Sequence, residues 1–225
     1  MSDEFVAELL DAPDAQLIIN RVQALLNDEK KRRQEFYEWL TDNVKAEFIN
    51  GEIIMHSPVK RGHLRASKLL FRLIDDYIFQ NDLGEADVEK AMVTLTRNDY
   101  EPDICFWRKE IADAFDDETM QHPAPDWVIE ILSKSTSKRD RGVKFEDYAA
   151  HGVREYWLID PRRQLVEQYI LDEAFMAFEA VGTFKLPDSI TAVSVPGFSI
   201  PVRAIFDQQT NRETLINLLN PSSRC

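Results

Sequence analysis

The stretch from Asp126 to Pro161, DWVIEILSKSTSKRDRGVKFEDYAAHGVREYWLIDP, constrains this chain more than any other. Trp127–Leu132 is apolar at every position except Glu130. Trp and β-branched residues dominate it, which favours a buried strand. An ionised carboxylate there is costly unless a charge partner or a metal compensates it. Ser133–Ser137 is polar and turn-like. Asp140, Lys144 and Tyr148 then recur at steps of four, which places them on one face of a helix. Gly152 follows where a helix C-terminus takes glycine. Arg154–Asp160 reads as a second strand, ended by Pro161. An inward acid on a strand is thus followed by a helix that presents a lysine. The pattern suggests a metal site beside a catalytic cation.

The bulk numbers narrow the field. A chain of 225 residues holds one large domain, or one domain with appendages. Hydrophobic content of 44% and charged content of 30% are ordinary for a soluble globular protein. No apolar run approaches the roughly 20 residues of a membrane span. The acidic start, MSDEFVAELL, lacks a basic region before its apolar residues, so no secretory signal is expected. Cys105 and Cys225 are too few for a disulfide framework. The expectation is a cytoplasmic protein with free thiols, Cys105 being a small buried hydrophobe. The net charge of -13 weighs against non-specific coating of nucleic acid. The charge is nevertheless uneven. Lys60, Arg61, Arg65 and Lys68 form one basic cluster, and Lys134, Lys138, Arg139, Arg141 and Lys144 form another, interrupted only by Asp140. These are either solvated helix surface or a phosphate-facing rim on an acidic body.

Apolar spacing at Phe5, Leu9, Leu10 and at Ile18, Val22, Leu25, Leu26 predicts two or three helices over residues 1–45, covering a sheet or contacting a partner. Phe48-Ile49, Asn50-Gly51 and Ile53–Met55 predict a hairpin, with Glu47 and Glu52 flanking its turn. Leu64–Gln80 reads as a helix with His63 at its start. Gly84 marks a turn, Ala91–Thr96 a strand, Arg97–Glu101 a polar turn and Ile104–Trp107 a strand opened by Pro102-Asp103. Lys109–Pro125 is acidic and irregular. Leu165–Leu171, Ala174–Val181, Val193–Val195 and Phe198–Pro201 are further strands, and Thr210–Leu219 is a closing helix. The residues support one α/β domain with an N-terminal helical extension.

Phosphodiester hydrolysis needs a water nucleophile and relief of charge on the attacked phosphate. A hard divalent cation held by carboxylates supplies both, and a lysine adds to it. Asp103 heads one strand, Glu130 sits inside another, and Lys144 lies on the following helix. Glu52, on an earlier strand, is a third acid. Twenty-six residues separate Asp103 from Glu130, and neighbouring strands joined through the 109–125 loop would bring them together. Each residue also has a plain reading: Asp103 as a turn cap, Glu130 as the core partner of an arginine, Lys144 as a surface lysine, Glu52 as an ordinary residue after a hairpin turn, His63 as a helix-terminal residue. The residues alone support a carboxylate metal site in an α/β domain.

Several strings, in order, resemble the Uma-type family of restriction-endonuclease-like proteins with the PD-(D/E)XK nuclease fold. They are Glu47, Asn50-Gly51-Glu52-Ile53, His63, Pro102-Asp103-Ile104 and Pro125–Ser133. Ser135-Thr136, Asp140, Lys144, Tyr148 and Gly152–Pro161 complete them. The resemblance covers roughly residues 45–206. It implies a mixed central sheet flanked by helices, while the residues themselves give the N-terminal helical extension over 1–44, the C-terminal β strands and the C-terminal helix and tail over 207–225. It also implies an Mg²⁺-dependent site, with Mn²⁺ as a substitute. Asp103 would match the aspartate of the PD motif and Glu130 the acid of the (D/E)XK motif. Leu132 stands where the motif lysine is expected, and in this family the lysine is displaced onto the next helix, here Lys144. Glu52 would match an additional acid, with Glu47 as its neighbouring alternative. Asn50 stands where the family usually has aspartate.

The resemblance implies an endonuclease acting on nucleic acid, chiefly DNA. Asp103, Glu130 and Glu52 would be the metal ligands and Lys144 the catalytic cation. No membrane partner is expected, and a homodimer is, because nucleases that cut both strands often pair. The alternatives are a catalytically silent nuclease-fold binding or assembly module, and a metal-dependent hydrolase of small phosphate esters.

Overall fold

The chain forms two compact units, one of Met1–His56 with Thr96–Asn98 and one of Ser57–Leu95 with Asp99–Cys225. The computed structural model describes residues 3–41 and 44–220, so Cys225 lies outside the described residues.

In the first unit, α1 spans Asp3–Asp11 and α2 spans Ala15–Trp39. Pro13 separates them because it has no N–H to continue a helix. The 25 residues of α2 then contain neither Gly nor Pro. One face of α2 is buried toward its C-terminal end. Phe36 packs on Phe48 of β1 (Ala46–Ile49), with ring centroids 5.7 Å apart. Glu29 accepts two hydrogen bonds from the Arg97 guanidinium, at 2.9 and 2.8 Å. Strand β1 pairs with β2 (Glu52–Met55) as the expected hairpin. Asn50 and Gly51 take φ of 50° and 82°, the two left-handed positions of a type I′ turn. The Arg32 guanidinium donates to the Gly51 carbonyl at 2.8 Å. A Cβ on Gly51 would meet only the movable end of Arg32, so it is the left-handed φ that favours glycine here.

The second unit is built on a mixed sheet of six strands flanked by helices. Its elements are α3 (Arg61–Asn81), β3 (Gly84–Val88), β4 (Met92–Thr94), β5 (Asp99–Tyr100), β6 (Ile104–Arg108) and α4 (Lys109–Ala112). Then follow β7 (Gln121–His122), β8 (Trp127–Ile131), α5 (Ser137–Asp140), α6 (Val143–Ala150), β9 (Glu155–Asp160), β10 (Leu165–Asp172) and β11 (Ala177–Lys185). The short strands β12 (Ser189–Thr191) and β13 (Ser199–Pro201), a 3₁₀ turn at Val202–Ile205 and α7 (Gln208–Leu219) close the chain.

The sheet order is β11-β10-β9-β8-β6-β3. Only β8 and β9 run parallel, as their connection through α5 and α6 demands. The others pair antiparallel. One face of the sheet buries Ile104, Phe106, Trp127, Ile129, Ile131, Trp157 and Ile159 against α3, the 3₁₀ turn and α7. Strand alternation sends Asp103, Cys105, Val128, Glu130 and Tyr156 to the other face. An aromatic cluster of Phe145, Tyr156, Tyr169 and Phe178 joins α6 to that face.

The structure departs from the sequence reading in places. Gly84 opens strand β3 and is not a turn. The segment read as a polar turn contains the buried strand β5. The single helix expected over 140–148 is two, parted at Gly142, whose Cβ would lie 2.9 Å from the Lys138 carbonyl oxygen. The strand expected at Val193–Val195 lies earlier, at Ser189–Thr191.

Candidate active site

Asp103 and Glu130 come together on the face under α6. Ile104 pairs with Ile129 across β6 and β8, and the same register places Asp103 opposite Glu130. Residues directly opposite in an antiparallel pair point to the same side, with Cβ atoms about 5 Å apart. Asp103 Oδ2 accepts a hydrogen bond from the Ile131 N–H at 2.7 Å. Its Oδ1 lies 3.1 Å from His63 Nε2, at the first turn of α3. Both carboxylate oxygens of Asp103 are therefore oriented by the chain, and the turn-cap reading does not apply.

Glu130 is 4% exposed and Lys144 is 2% exposed. The Lys144 ammonium donates to Glu130 Oε1 at 2.8 Å. The core partner of Glu130 is thus a lysine and not an arginine, and Lys144 is a buried residue and not a surface one. The ammonium also sits 5.6 Å from the centre of the Tyr100 ring, within the range of a cation–π contact. The Tyr100 hydroxyl donates to Asp147 Oδ2 at 2.8 Å. Tyr148 packs between Tyr100 and Tyr156, with centroid distances of 5.1 and 5.7 Å. The Tyr156 hydroxyl donates to the Asp140 carbonyl at 3.0 Å. Burial pushes the Tyr156 phenol well above its ordinary range, and the charges of Glu130 and Asp140 add to the shift.

An ion pair this deep costs desolvation energy, and an apolar pair of similar size often serves folding equally well. Buried pairs of this kind occur at functional sites and in structural networks alike. Tyr100 and Asp147 were not singled out in the sequence. They lie 47 residues apart, and no local pattern links them.

Glu52 belongs to the first unit, where it is exposed at the start of β2 opposite Ile49. Glu47, its alternative, is buried, and its Oε2 lies 3.4 Å from His56 Nε2. Among the described residues, no group of three or more His, Cys, Asp or Glu side chains is arranged to hold a metal. The adjacent carboxylates of Asp103 and Glu130 remain a donor set that suits a hard cation. Mg²⁺ commonly takes one or two protein carboxylates and completes its shell with water and substrate phosphate.

Comparison with known proteins bears on the family and the fold. The Uma2 family, described as "Putative restriction endonuclease", matches residues 33–203. A solved structure described as "a putative nuclease belonging to DUF820 from Anabaena variabilis ATCC 29413" superposes with a TM-score of 0.65 at 22% identity. The alignment covers 81% of this chain and 97% of that one, so the two share a fold. No protein of curated function matches the sequence. No helix among the described residues is long and apolar enough to cross a membrane. With a family match over most of its length, the chain belongs to the Uma2 family of restriction-endonuclease-like proteins.

Proposed function

We propose that this protein is a divalent-metal-dependent endonuclease that hydrolyses phosphodiester bonds in DNA, using Mg²⁺ or Mn²⁺. The observation that carries the reading is the placement of Asp103 opposite Glu130, with Lys144 at 2.8 Å from Glu130. Asp103 and Glu130 would hold the cation, which supplies charge neutralisation and an acidified water when bound. His63 and the Ile131 N–H hold the Asp103 carboxylate in one orientation. Glu130 and Tyr100 hold the Lys144 ammonium in place, beside the position a scissile phosphate would take. Lys134 and Lys138, exposed between β8 and α6, are available to backbone phosphates. Cutting both strands of a duplex takes two such sites, and we take the working unit to be a homodimer.

The test is cleavage of supercoiled plasmid by wild type, Asp103→Asn and Glu130→Gln, with Mg²⁺ or with chelator. Both substitutions keep side-chain size and should lower the rate about a hundredfold or more. Cleavage that survives in both variants would sink the reading. Glu52→Gln in the same assay tests the third acid, whose loss should also slow cleavage. RNA and a small phosphodiester in parallel reactions identify the substrate class.

A second reading, a nuclease fold that binds or assembles without turnover, is favoured by one observation. Glu130 already has a buried cation as its partner. No cleavage of DNA or RNA with either metal, together with intact folding, would make it the better account.

A further inference from the structure

The stripe of α2 that carries Glu29 and Phe36 continues toward the N-terminus through Leu26, Leu25, Val22 and Ile18. Those four are exposed, at 37%, 54%, 49% and 37%. Ile18, Val22, Leu25 and Glu29 step by four, three and four, the spacing of a coiled-coil seam. Val22, Leu25, Leu26, Glu29, Arg32 and Arg97 line a shallow groove along it. The first unit covers one half of the seam with its own hairpin and leaves the other half bare. The bare half also precedes residue 33, where the family match begins.

We propose that this bare seam is a homodimer interface in which α2 pairs antiparallel with α2 of a second copy, around a two-fold axis at Val22. The occupant follows from the seam's own symmetry. An isologous contact requires one patch to be complementary to itself. Turned end for end about Val22, Ile18 and Ile19 of one helix meet Leu25 and Leu26 of the other. Val22 then meets its own copy. The charges agree with that direction and oppose the parallel one. Asp11 and Asp14 lie just before the seam, and Lys30 and Lys31 lie just after Asp28 and Glu29, with Arg32 and Arg33 bonded to the hairpin turn and to Thr96 and Asn98 of the same unit. Antiparallel pairing sets the acidic end of one copy against the basic end of the other. Parallel pairing sets like charges together, which destabilises.

The proposal specifies the surface of the dimer in the nuclease reading and rests on that dimer, but not on catalysis. Sedimentation equilibrium of the full chain should give the mass of two chains. The double variant Val22→Glu with Leu25→Glu should give the mass of one, with an unchanged circular dichroism spectrum. A monomeric wild type overturns the proposal. So does a dimer that survives the double substitution, although that result leaves a dimeric nuclease standing on another surface. Loss of cleavage with the dimer intact touches only the nuclease reading. Should the double variant fail to fold, disulfide mapping in a Cys225→Ser background decides. Chains carrying Ile18→Cys mixed with chains carrying Leu26→Cys should cross-link between unlike chains on oxidation. Cross-links between like chains at 18 overturn the antiparallel arrangement.

Discussion

Glu130 was legible in the sequence because a single acid interrupts five apolar residues. Its partner was legible only as a helix face. Periodicity placed Lys144 beside Asp140 and Tyr148, but burial is decided by what covers a helix. The His63–Asp103 contact spans 40 residues, and nothing local foretold it. Replacing Glu130 with alanine leaves Lys144 buried without its carboxylate. That variant should lose about 3–5 kcal/mol of stability, measured by urea unfolding, whereas Glu130→Gln keeps an acceptor for the ammonium and should lose less. Loss of activity in the alanine variant alone would therefore not separate chemistry from folding. Glu155 makes a similar case away from the site. It is fully buried, and burial raises its pKa despite the hydrogen bonds it receives. Its Oε1 accepts from Trp157 Nε1 and Gln168 Nε2, each at 2.7 Å. Its Oε2 accepts from the Val193 and Ser194 N–H groups at 2.8 and 2.7 Å. A glutamine amide would point its own N–H at two of these donors. Glu155→Gln should cost about 2 kcal/mol or more by the same measurement.

The long periodic helices and apolar strands were readable from composition and period. The elements that misled were those set by backbone contact. Strand β3, with sequence GEADV, alternates two acids with only two apolar residues, Ala86 and Val88, too short a pattern to stand out beside a glycine. It forms because β6 offers it a partner. Gly84, at φ 140°, stands so close to β6 that a Cβ would lie 2.1 Å from the Trp107 carbonyl oxygen. Gly84→Ala should therefore destabilise the protein by about 2 kcal/mol or more, seen as a lowered thermal midpoint. The break between α5 and α6 is anchored by Arg141, which donates to Glu167 of β10 at 2.6 and 2.7 Å. The Arg141 guanidinium holds the Glu167 carboxyl below its ordinary value of 4.5. A depressed acid stabilises the fold in its ionised form. This contribution is complete above pH 4.5 and is lost as the pH falls through the lower, folded value. Arg141→Gln should flatten the acid limb of a stability-versus-pH curve while leaving its shape above pH 5 or so unchanged. An acid limb identical to wild type would show that the pair contributes nothing there.

For the whole molecule, the α/β class, the mixed sheet and the flanking helices were legible beforehand, because strand–helix–strand patterns limit topology severely. The sequence did not show how the sheet's two faces divide their work. One face carries the acids and the lysine, and the other carries the large apolar core. That division has a consequence for a chain being synthesised. His63, Asp103, Glu130 and Lys144 have all emerged by the time residue 160 leaves the ribosome. Val202, Ile205, Leu215 and Leu218, which seal the opposite face, come last. Until they arrive α3 alone covers that face, and the layer that backs the acid-bearing strands is incomplete. On the nuclease reading, a nascent copy carrying every proposed site residue would still lack part of the apolar layer beneath them until its final helix docks, a built-in delay before the site is fully supported.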